Sequence, residues 1–316
     1  MDIVHYSVLQ KEVLELLKPD GENQLLIDGT LGEGGHSELF LKEFPSLRLV
    51  CLDADPEIMA VARKRLEPFA DRTRFFNVWF NQFYREYPLG DERPDRILFD
   101  LGISVFHYQK GNRGFTFQND EQLDMRLGGD LEISAGDIVN QYPEEALADI
   151  FFEYGEERYS RRIAAAIVRE RRRESISSTA RLADVIRGAV PQAYRHGRIH
   201  PATRCFQALR IVVNGELARL ESVLEDALAV LKPGGRMGII SFHSLEDRMV
   251  KQFFREKNRS CTCPPEQPIC NCGGKRKVDL VTRKPVVPGE EEVRLNPPSR
   301  SARFRVVEKR EEEEEE

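Results

Sequence analysis

The segment Asp28-Gly29-Thr30-Leu31-Gly32-Glu33-Gly34-Gly35-His36 places four glycines just after the apolar run Gln24 to Ile27. Glycine lets a backbone approach a ligand closely, and the first turn of a following helix is electropositive. A strand, such a turn and a helix together make a cradle for a nucleotide-like cofactor, although a glycine-rich turn alone also builds plain tight turns. Asp53 ends a second apolar run 25 residues after Asp28 and suits the two ribose hydroxyls of an adenosine. A dinucleotide site expects G-x-G-x-x-G around a pyrophosphate. Here Gly32-Glu33-Gly34-Gly35, with Gly29 three positions earlier, does not match, and Glu33 would repel a pyrophosphate. A cofactor whose reactive centre is a sulfonium cation tolerates nearby acids. Asp100 ends a further apolar run and fits the same logic, its alternative being a helix cap or turn acid. His243 follows a later strand. It is a second polar candidate for catalysis, or else a structural hydrogen-bonding group holding Ser244 or Glu246.

These residues need a frame that carries them to one edge. Residues 24–28, 48–53, 74–78 and 95–100 are short apolar runs that read as buried parallel strands. Helical segments follow the first two, at 35–44 and at 57–66, with Pro56 in a first turn. Strand, turn and helix in repetition predict a doubly wound α/β sheet, whose ligands bind at the carboxyl ends of the strands. From Val105 to about Arg198 the signals are helical and loop-like, at 144–153, 158–173 and 179–189, so this stretch reads as an inserted helical domain. Leu209, Val213, Leu217, Leu220, Leu224, Leu228 and Leu231 form one stripe, predicting a long amphipathic helix stopped at Pro233-Gly234-Gly235. A strand at 236–242, a helix at 245–255 and a last, edge strand at 301–308 complete the pattern.

The chain has 316 residues, 41% hydrophobic and 32% charged, enough for a substantial core. No apolar run approaches the roughly 20 residues needed to cross a bilayer. The N-terminal residues lack the basic start and apolar stretch of a signal peptide, so the expected location is the cytoplasm. The net charge of -6 is carried by the Glu run 311–316, which reads as a disordered tail. Residues 151–210 instead contain 13 Arg, no Lys and 6 acids. That is either a phosphate-facing surface or a solvated helical face with internal ion pairs. Cys51 and Cys205 stand alone in core-like segments. Cys261, Cys263, Cys270 and Cys272 cluster, and in a cytosolic protein suggest metal rather than disulfides. Four thiolates could hold Zn²⁺. C-x-C pairs are less usual than C-x-x-C, and a flexible loop with reduced thiols, helped by Pro264, Pro265 and Pro268, is the alternative.

Several blocks together resemble one family. They are Asp28 to Gly32 with His36-Ser37, Asp100-Leu101-Gly102, Arg113-Gly114-Phe115, Leu123-Asp124-Met125-Arg126 and Tyr154-Gly155-Glu156-Glu157-Arg158. The later ones are His200-Pro201-Ala202-Thr203-Arg204, Phe206-Gln207-Ala208-Leu209-Arg210-Ile211 and Ser241-Phe242-His243-Ser244-Leu245-Glu246-Asp247-Arg248. The chain is similar, over nearly its whole length apart from the Glu tail, to the bacterial 16S ribosomal RNA cytosine-N4 methyltransferases, the MraW or RsmH family. The resemblance implies a Rossmann-like class I methyltransferase sheet, formed by residues 1–104 and 199–310, with an inserted helical, RNA-recognising domain at 105–198. It implies S-adenosylmethionine as cofactor, and as substrate the exocyclic amine of a decoding-centre cytidine in 16S ribosomal RNA of the small subunit. It implies cofactor contacts at Gly34, Gly35, His36, Asp53, Phe80 and Asp100.

The family's further contact is a Gln seven residues after the Asp100 position, and here that position is His107. The family usually reads D-L-G-V-S-S-P-Q-L-D where this chain reads Asp100-Leu101-Gly102-Ile103-Ser104-Val105-Phe106-His107-Tyr108-Gln109. Gln109 would substitute if the loop shifts by two residues. Asp120-Glu121-Gln122-Leu123 also replaces a usual Gly-Pro-Leu. The expected catalytic groups are Asp100 and His243, with Asp124 and Arg126 helping to close the site and Arg158 to Arg173 facing RNA. A methyltransferase acting on DNA or a small molecule is the competing reading, and a dinucleotide oxidoreductase a more distant one.

Overall fold

Leu25–Asp28 (β1) has every residue buried, and Arg48–Asp53 (β2), Arg96–Asp100 (β4), Arg236–Ser241 (β5) and Arg303–Lys309 (β7) are buried through their middles. Continuous apolar runs of this kind belong to strands covered on both faces. With Thr73–Asn77 (β3) and the three-residue Val278–Leu280 (β6) they form one seven-stranded sheet in the order β3-β2-β1-β4-β5-β7-β6. β3, β2, β1, β4 and β5 are parallel, while β7 pairs antiparallel with both β5 and β6. This is the Rossmann-like α/β class I arrangement that the sequence led us to expect. The computed structural model describes residues 7–109, 112–197, 199–261, 263, 267 and 274–311. The chain divides into two units, residues 1–103 with 219–316 and residues 104–218.

The helices of the first unit's N-terminal half are Gln10–Leu16 (α1), Gly35–Glu43 (α2), Pro56–Arg65 (α3) and Phe80–Glu86 (α4). α3 starts where a start is cheap. Asp55 accepts a hydrogen bond from Glu57 N, and Pro56 occupies the first turn, where its missing N–H costs nothing. The second unit is mainly helical, with Val105–Gln109 (α5), Ala135–Gln141 (α6), Glu144–Glu153 (α7), Ser160–Arg171 (α8), Thr179–Ala189 (α9), Gln192–Arg195 (α10) and Ala202–Asn214 (α11). Ser134 and Asp137 form a reciprocal capping box at the head of α6. Glu216–Val230 (α12) carries the boundary between units, and Ser244–Lys257 (α13) and Glu290–Leu295 (α14) belong to the first unit.

Alternation along the strands splits the first unit's core in two. Leu25, Ile27, Val50, Leu52, Ile97, Phe99, Met237 and Ile239 face one side, where Leu224 and Leu228 of α12, Phe83 of α4 and Phe254 of α13 cover them. Leu26, Leu49, Cys51, Leu98 and Ile240 face the other, under Val13 of α1, Phe40 of α2 and Met59 and Ala62 of α3. Cys51 and Cys205 are both fully buried, and burial pushes their thiols well above the ordinary range.

Three expectations are corrected. The stripe from Leu209 to Leu231 is two helices, because Gly215 at φ 58° caps α11 in the left-handed conformation and α12 restarts at Glu216. Heptad-like spacing survives such a break, so periodicity alone could not reveal it. The last strand is not the edge, since β6 pairs outside it. A three-residue strand carries too little alternation to be read. Residues 199–218, grouped with the sheet in the sequence reading, fall in the helical unit, where α11 packs on α6, α7 and α9. No helix among the described residues is long and apolar enough to cross a membrane.

Candidate cofactor site

Strand register brings three acids to one edge. Asp28 pairs with Cys51 on one side and with Leu98 on the other, so Asp53 and Asp100 each project two residues beyond Asp28. The order of strands reverses between β1 and β4, the position where open α/β sheets leave a crevice at their carboxyl ends. The loops after those strands are tied together, with Gly29 N donating to Leu98 O at 2.8 Å and Asp100 N donating to Thr30 Oγ1 at 2.6 Å. Gly29 is required there, because a Cβ would stand 2.4 Å from the Phe99 ring.

The turn itself is held by acids from two strands. Gly32 N donates to Asp53 Oδ2 at 2.9 Å, Asp55 N to Asp53 Oδ1 at 2.9 Å, and Leu31 N to Leu52 O at 2.8 Å. Gly34, at φ 79°, is the residue before the first turn of α2. That left-handed conformation costs most side chains roughly 1–2 kcal/mol. Asp28 is 2% exposed and is structural, accepting from Ser37 Oγ at 2.6 Å and from Thr30 N at 3.3 Å. Burial raises its carboxyl pKa in spite of those bonds and of His36, and the Asp100 charge adds to the rise.

His36 and Asp100 meet at the centre of this edge. His36 is buried, and its Nε2 stands 3.5 Å from Asp100 Oδ2. His36 Nε2, Asp100 Oδ1 and Glu33 Oε2 are buried atoms with no hydrogen-bond partner among the described residues. Buried polar groups are nearly always satisfied, so this cluster has the character of a site completed by a ligand. Phe80 opens α4, half-buried, with its ring edge-on to Phe99 at 5.6 Å. Gly34, Gly35, His36, Asp53, Phe80 and Asp100 therefore all lie on the first unit, around the ends of β1, β2 and β4.

His243 has another task. It caps α13, its Nδ1 accepting from Glu246 N at 3.4 Å, and its Nε2 lies 3.1 Å from Glu246 Oε1. Glu246 in return accepts from Phe242 N at 2.9 Å and His243 N at 3.3 Å. Although Nε2 lies close to that carboxylate, it is a buried atom with no hydrogen-bond partner among the described residues. Asp247 beside it is held by Arg305 at 2.7 Å. Nδ1 thus serves the helix start, as in the reading in which His243 holds Glu246, while Nε2 is left over.

The remaining candidates lie in the second unit. His107 is buried on α5, its ring 5.8 Å from Phe106 and 5.6 Å from Phe115. Arg126 Nε and Nη2 grip Asp124 at 2.7 and 2.9 Å, and Met125 between them takes φ 65°. On and beside α8, Arg158, Arg161, Arg162, Arg169, Arg172 and Arg173 are exposed, and none is ion-paired with an acid among the described residues. Arg171 is spent inside, donating to Val139 O and Tyr142 O at 2.7 Å. Of the four clustered cysteines, Cys261 is exposed and Cys263 half-buried. Cys270 and Cys272 lie outside the described residues, so the zinc expectation does too. Sequence reasoning missed Thr30 and Ser37, which hold the two acids in register. A hydroxyl beside a glycine-rich turn is too common to have marked them.

The profile of the MraW methylase family matches residues 2–310. A ribosomal RNA small subunit methyltransferase H of Treponema denticola is 57% identical, covering 98% of this chain and 98% of its own length. One from Heliobacterium mobile is 46% identical over 98% of this chain and 100% of its own. Among solved structures, the N-methyltransferase NodS of Bradyrhizobium japonicum in complex with S-adenosyl-L-homocysteine aligns over 96% of this chain and 86% of its own, at 9% identity and a TM-score of 0.42.

Proposed function

Because the chain belongs to the MraW methylase family, we propose that it methylates the exocyclic N4 amine of a cytidine in 16S ribosomal RNA of the small subunit, using S-adenosylmethionine. The relatives' activity on small-subunit ribosomal RNA supports the substrate class. A ribosomal substrate in turn implies a cytoplasmic enzyme. The observation that carries the reading is the pair of orphaned atoms, Asp100 Oδ1 and His36 Nε2, at the crevice where β1 and β4 diverge.

S-adenosylmethionine, when bound, supplies an electrophilic methyl group and a sulfonium charge that an acid-lined edge suits. Gly34 and Gly35 present backbone to it, and Asp53 takes the ribose hydroxyls. A carboxylate has about four acceptor sites, so Asp53 can hold the turn and the ribose together. Phe80 packs the adenine side. The cytosine amine is a poor nucleophile, since its lone pair is delocalised into the ring. The chain must hold it in line with the methyl carbon, with reacting atoms ~3–3.5 Å apart. It must also accept from the N–H as positive charge develops. Asp100 Oδ1 is the acceptor we assign to that proton, with His36 Nε2 beside the carboxylate, 3.5 Å from Oδ2. His243 acts on α13 and positions Glu246, and Asp124 with Arg126 steadies a turn of the second unit. The exposed arginines of α8 meet phosphate. The target must be unstacked, which a folded RNA loop allows more readily than a duplex.

Asp100→Asn keeps the size and one acceptor but loses the charge. It should lower kcat for methyl transfer to purified small subunits by about 100-fold or more, the scale of a lost acid–base group. Near-normal turnover would remove Asp100 from catalysis. Mapping of methylated cytidine in ribosomal RNA from a deletion strain and its parent tests the target.

A further inference from the structure

The helical unit carries a second recess of its own. Tyr194 of α10, Gly197, Ile199, His200 and Arg204 of α11 line a half-open cleft of about 210 Å³, smaller than the ~300–1,000 Å³ common for pockets that enclose a whole ligand, as suits one part of a longer one. No acid lines it. Glu157 stands fully buried behind it, accepting from Tyr194 Oη at 2.7 Å and from Tyr159 N at 2.8 Å. Burial and that carboxylate push the Tyr194 phenol up to about 12, so it stays a neutral donor to Glu157. Arg204 Nη1 then donates to the phenol oxygen at 3.3 Å and to Glu156 O at 3.3 Å. Its guanidinium has no acid partner among the described residues.

The walls are π-faces and cations. Tyr194 and Tyr159 meet edge-on at 4.9 Å, and Arg158 lies over both rings, 4.8 Å from each centroid. The His200 ring leans on Phe117 at 4.9 Å. Its Nδ1 accepts from Ala202 N at 3.2 Å, which leaves Nε2–H as a donor. Burial and then Arg187 hold this imidazole below the ordinary range, with Asp184 offsetting them in part, so it is neutral at pH 7. Ile199 is 48% exposed at the rim, an apolar side chain left in water. Aromatic faces, an aliphatic edge, guanidinium groups without carboxylates and a neutral N–H donor form the set that holds unstacked bases and their phosphates.

We propose that this cleft binds a single-stranded nucleotide of the ribosomal RNA other than the one that is methylated, with phosphate at Arg204 and Arg158 and the base against the Tyr194–Ile199–His200 wall. The proposal rests on the RNA-methylating reading above and adds to it the place where the substrate is gripped away from the reacting amine. A half-open cleft suits a residue within a polymer, whose chain must enter and leave.

The test uses the full chain and two exposed positions, Ile199→Asp and Arg158→Ala. A carboxylate at the rim repels phosphate and disturbs no buried contact. With unmethylated small subunits, each variant should raise KM about five- to tenfold, the low end of the ~1–3 kcal/mol that one stacked base contributes. kcat at saturation and the Kd for S-adenosylmethionine should not change. Both variants should also weaken a fluorescent oligouridylate by a similar factor. Unchanged KM in both variants, with a wild type that methylates subunits, overturns the cleft. A raised KM with unchanged oligouridylate affinity assigns the cleft to a ribosomal protein and equally overturns it. If the wild type transfers no methyl to subunits, the ribosomal RNA reading falls. The oligouridylate then decides the cleft alone: equal affinities reject it, and a five- to tenfold loss supports it.

Discussion

Asp124 and Arg126 pair across two residues of chain, closed by Arg126 N, Nε and Nη2 on one carboxylate. Burial alone would raise the Asp124 pKa. The bonds from Arg126, with its charge and that of Arg113, overcome burial and hold the carboxyl below its ordinary range. A folded-state pKa below the unfolded value, near ~3.9, gives stability that is present above that value. It is lost as pH falls through the folded-state pKa. Asp124→Asn should therefore cost roughly 1 kcal/mol or less at pH 7, and that cost should shrink as pH falls below the ordinary carboxylate range. Thermal denaturation across that range checks it, and equal destabilisation at both ends would remove the charge from the account. Asp53 and Asp100 were legible because an acid ending an apolar run is a local signal. The Asp124–Arg126 grip was not, because two-residue spacing carries no pairing rule outside a helix or strand, and Met125 at φ 65° is neither.

α13 is an element whose start explains a residue. Its capping box uses His243 and Glu246 where Ser and Glu are the usual pair. His243→Ala would strip the acceptor from Glu246 N and leave a buried carboxylate without its imidazole. The expected loss is about 1–2 kcal/mol of stability, with kcat near wild type and stability restored in part by His243→Asn, a good cap. A fall in kcat of about 100-fold in a chain of normal stability would return His243 to catalysis. At this scale strands β1, β2, β4 and β5 were readable, since burial on both faces leaves only apolar residues between their ends. The break at Gly215 and the short β6 were not readable. One depends on a single φ, the other on a neighbour far along the chain.

Charge is a property of the whole molecule. The Glu run at the C-terminus makes the net charge negative, while residues 151–210 carry seven more arginines than acids, and exposed arginines cluster on and beside α8. If that face neutralises phosphates, the logarithm of RNA affinity should fall linearly with the logarithm of salt, by about 0.7 per phosphate for single strands. Arg161→Ala and Arg172→Ala should each weaken binding at low salt and flatten that slope by about one contact. Filter binding at low and moderate salt measures it, and a slope indifferent to both substitutions would make α8 a solvated face only.

The amino-acid sequence by itself determined the sheet, the glycine turn, the acids at its edge and the family, because each is written in neighbouring residues: apolar runs, their terminal carboxylates, and long contiguous blocks. Only the tertiary structure decided which groups were left over for a ligand. His36 and Asp100 are 64 residues apart in the chain, and nothing local says that they meet or that Asp100 Oδ1 stays without a partner among the described residues. His243, equally suggestive in sequence, gives its Nδ1 to the start of its own helix. Hydrogen-bond capacity is assigned among all the atoms that folding brings into reach, so what remains unspent, and available for chemistry, is known only after the chain has closed on itself.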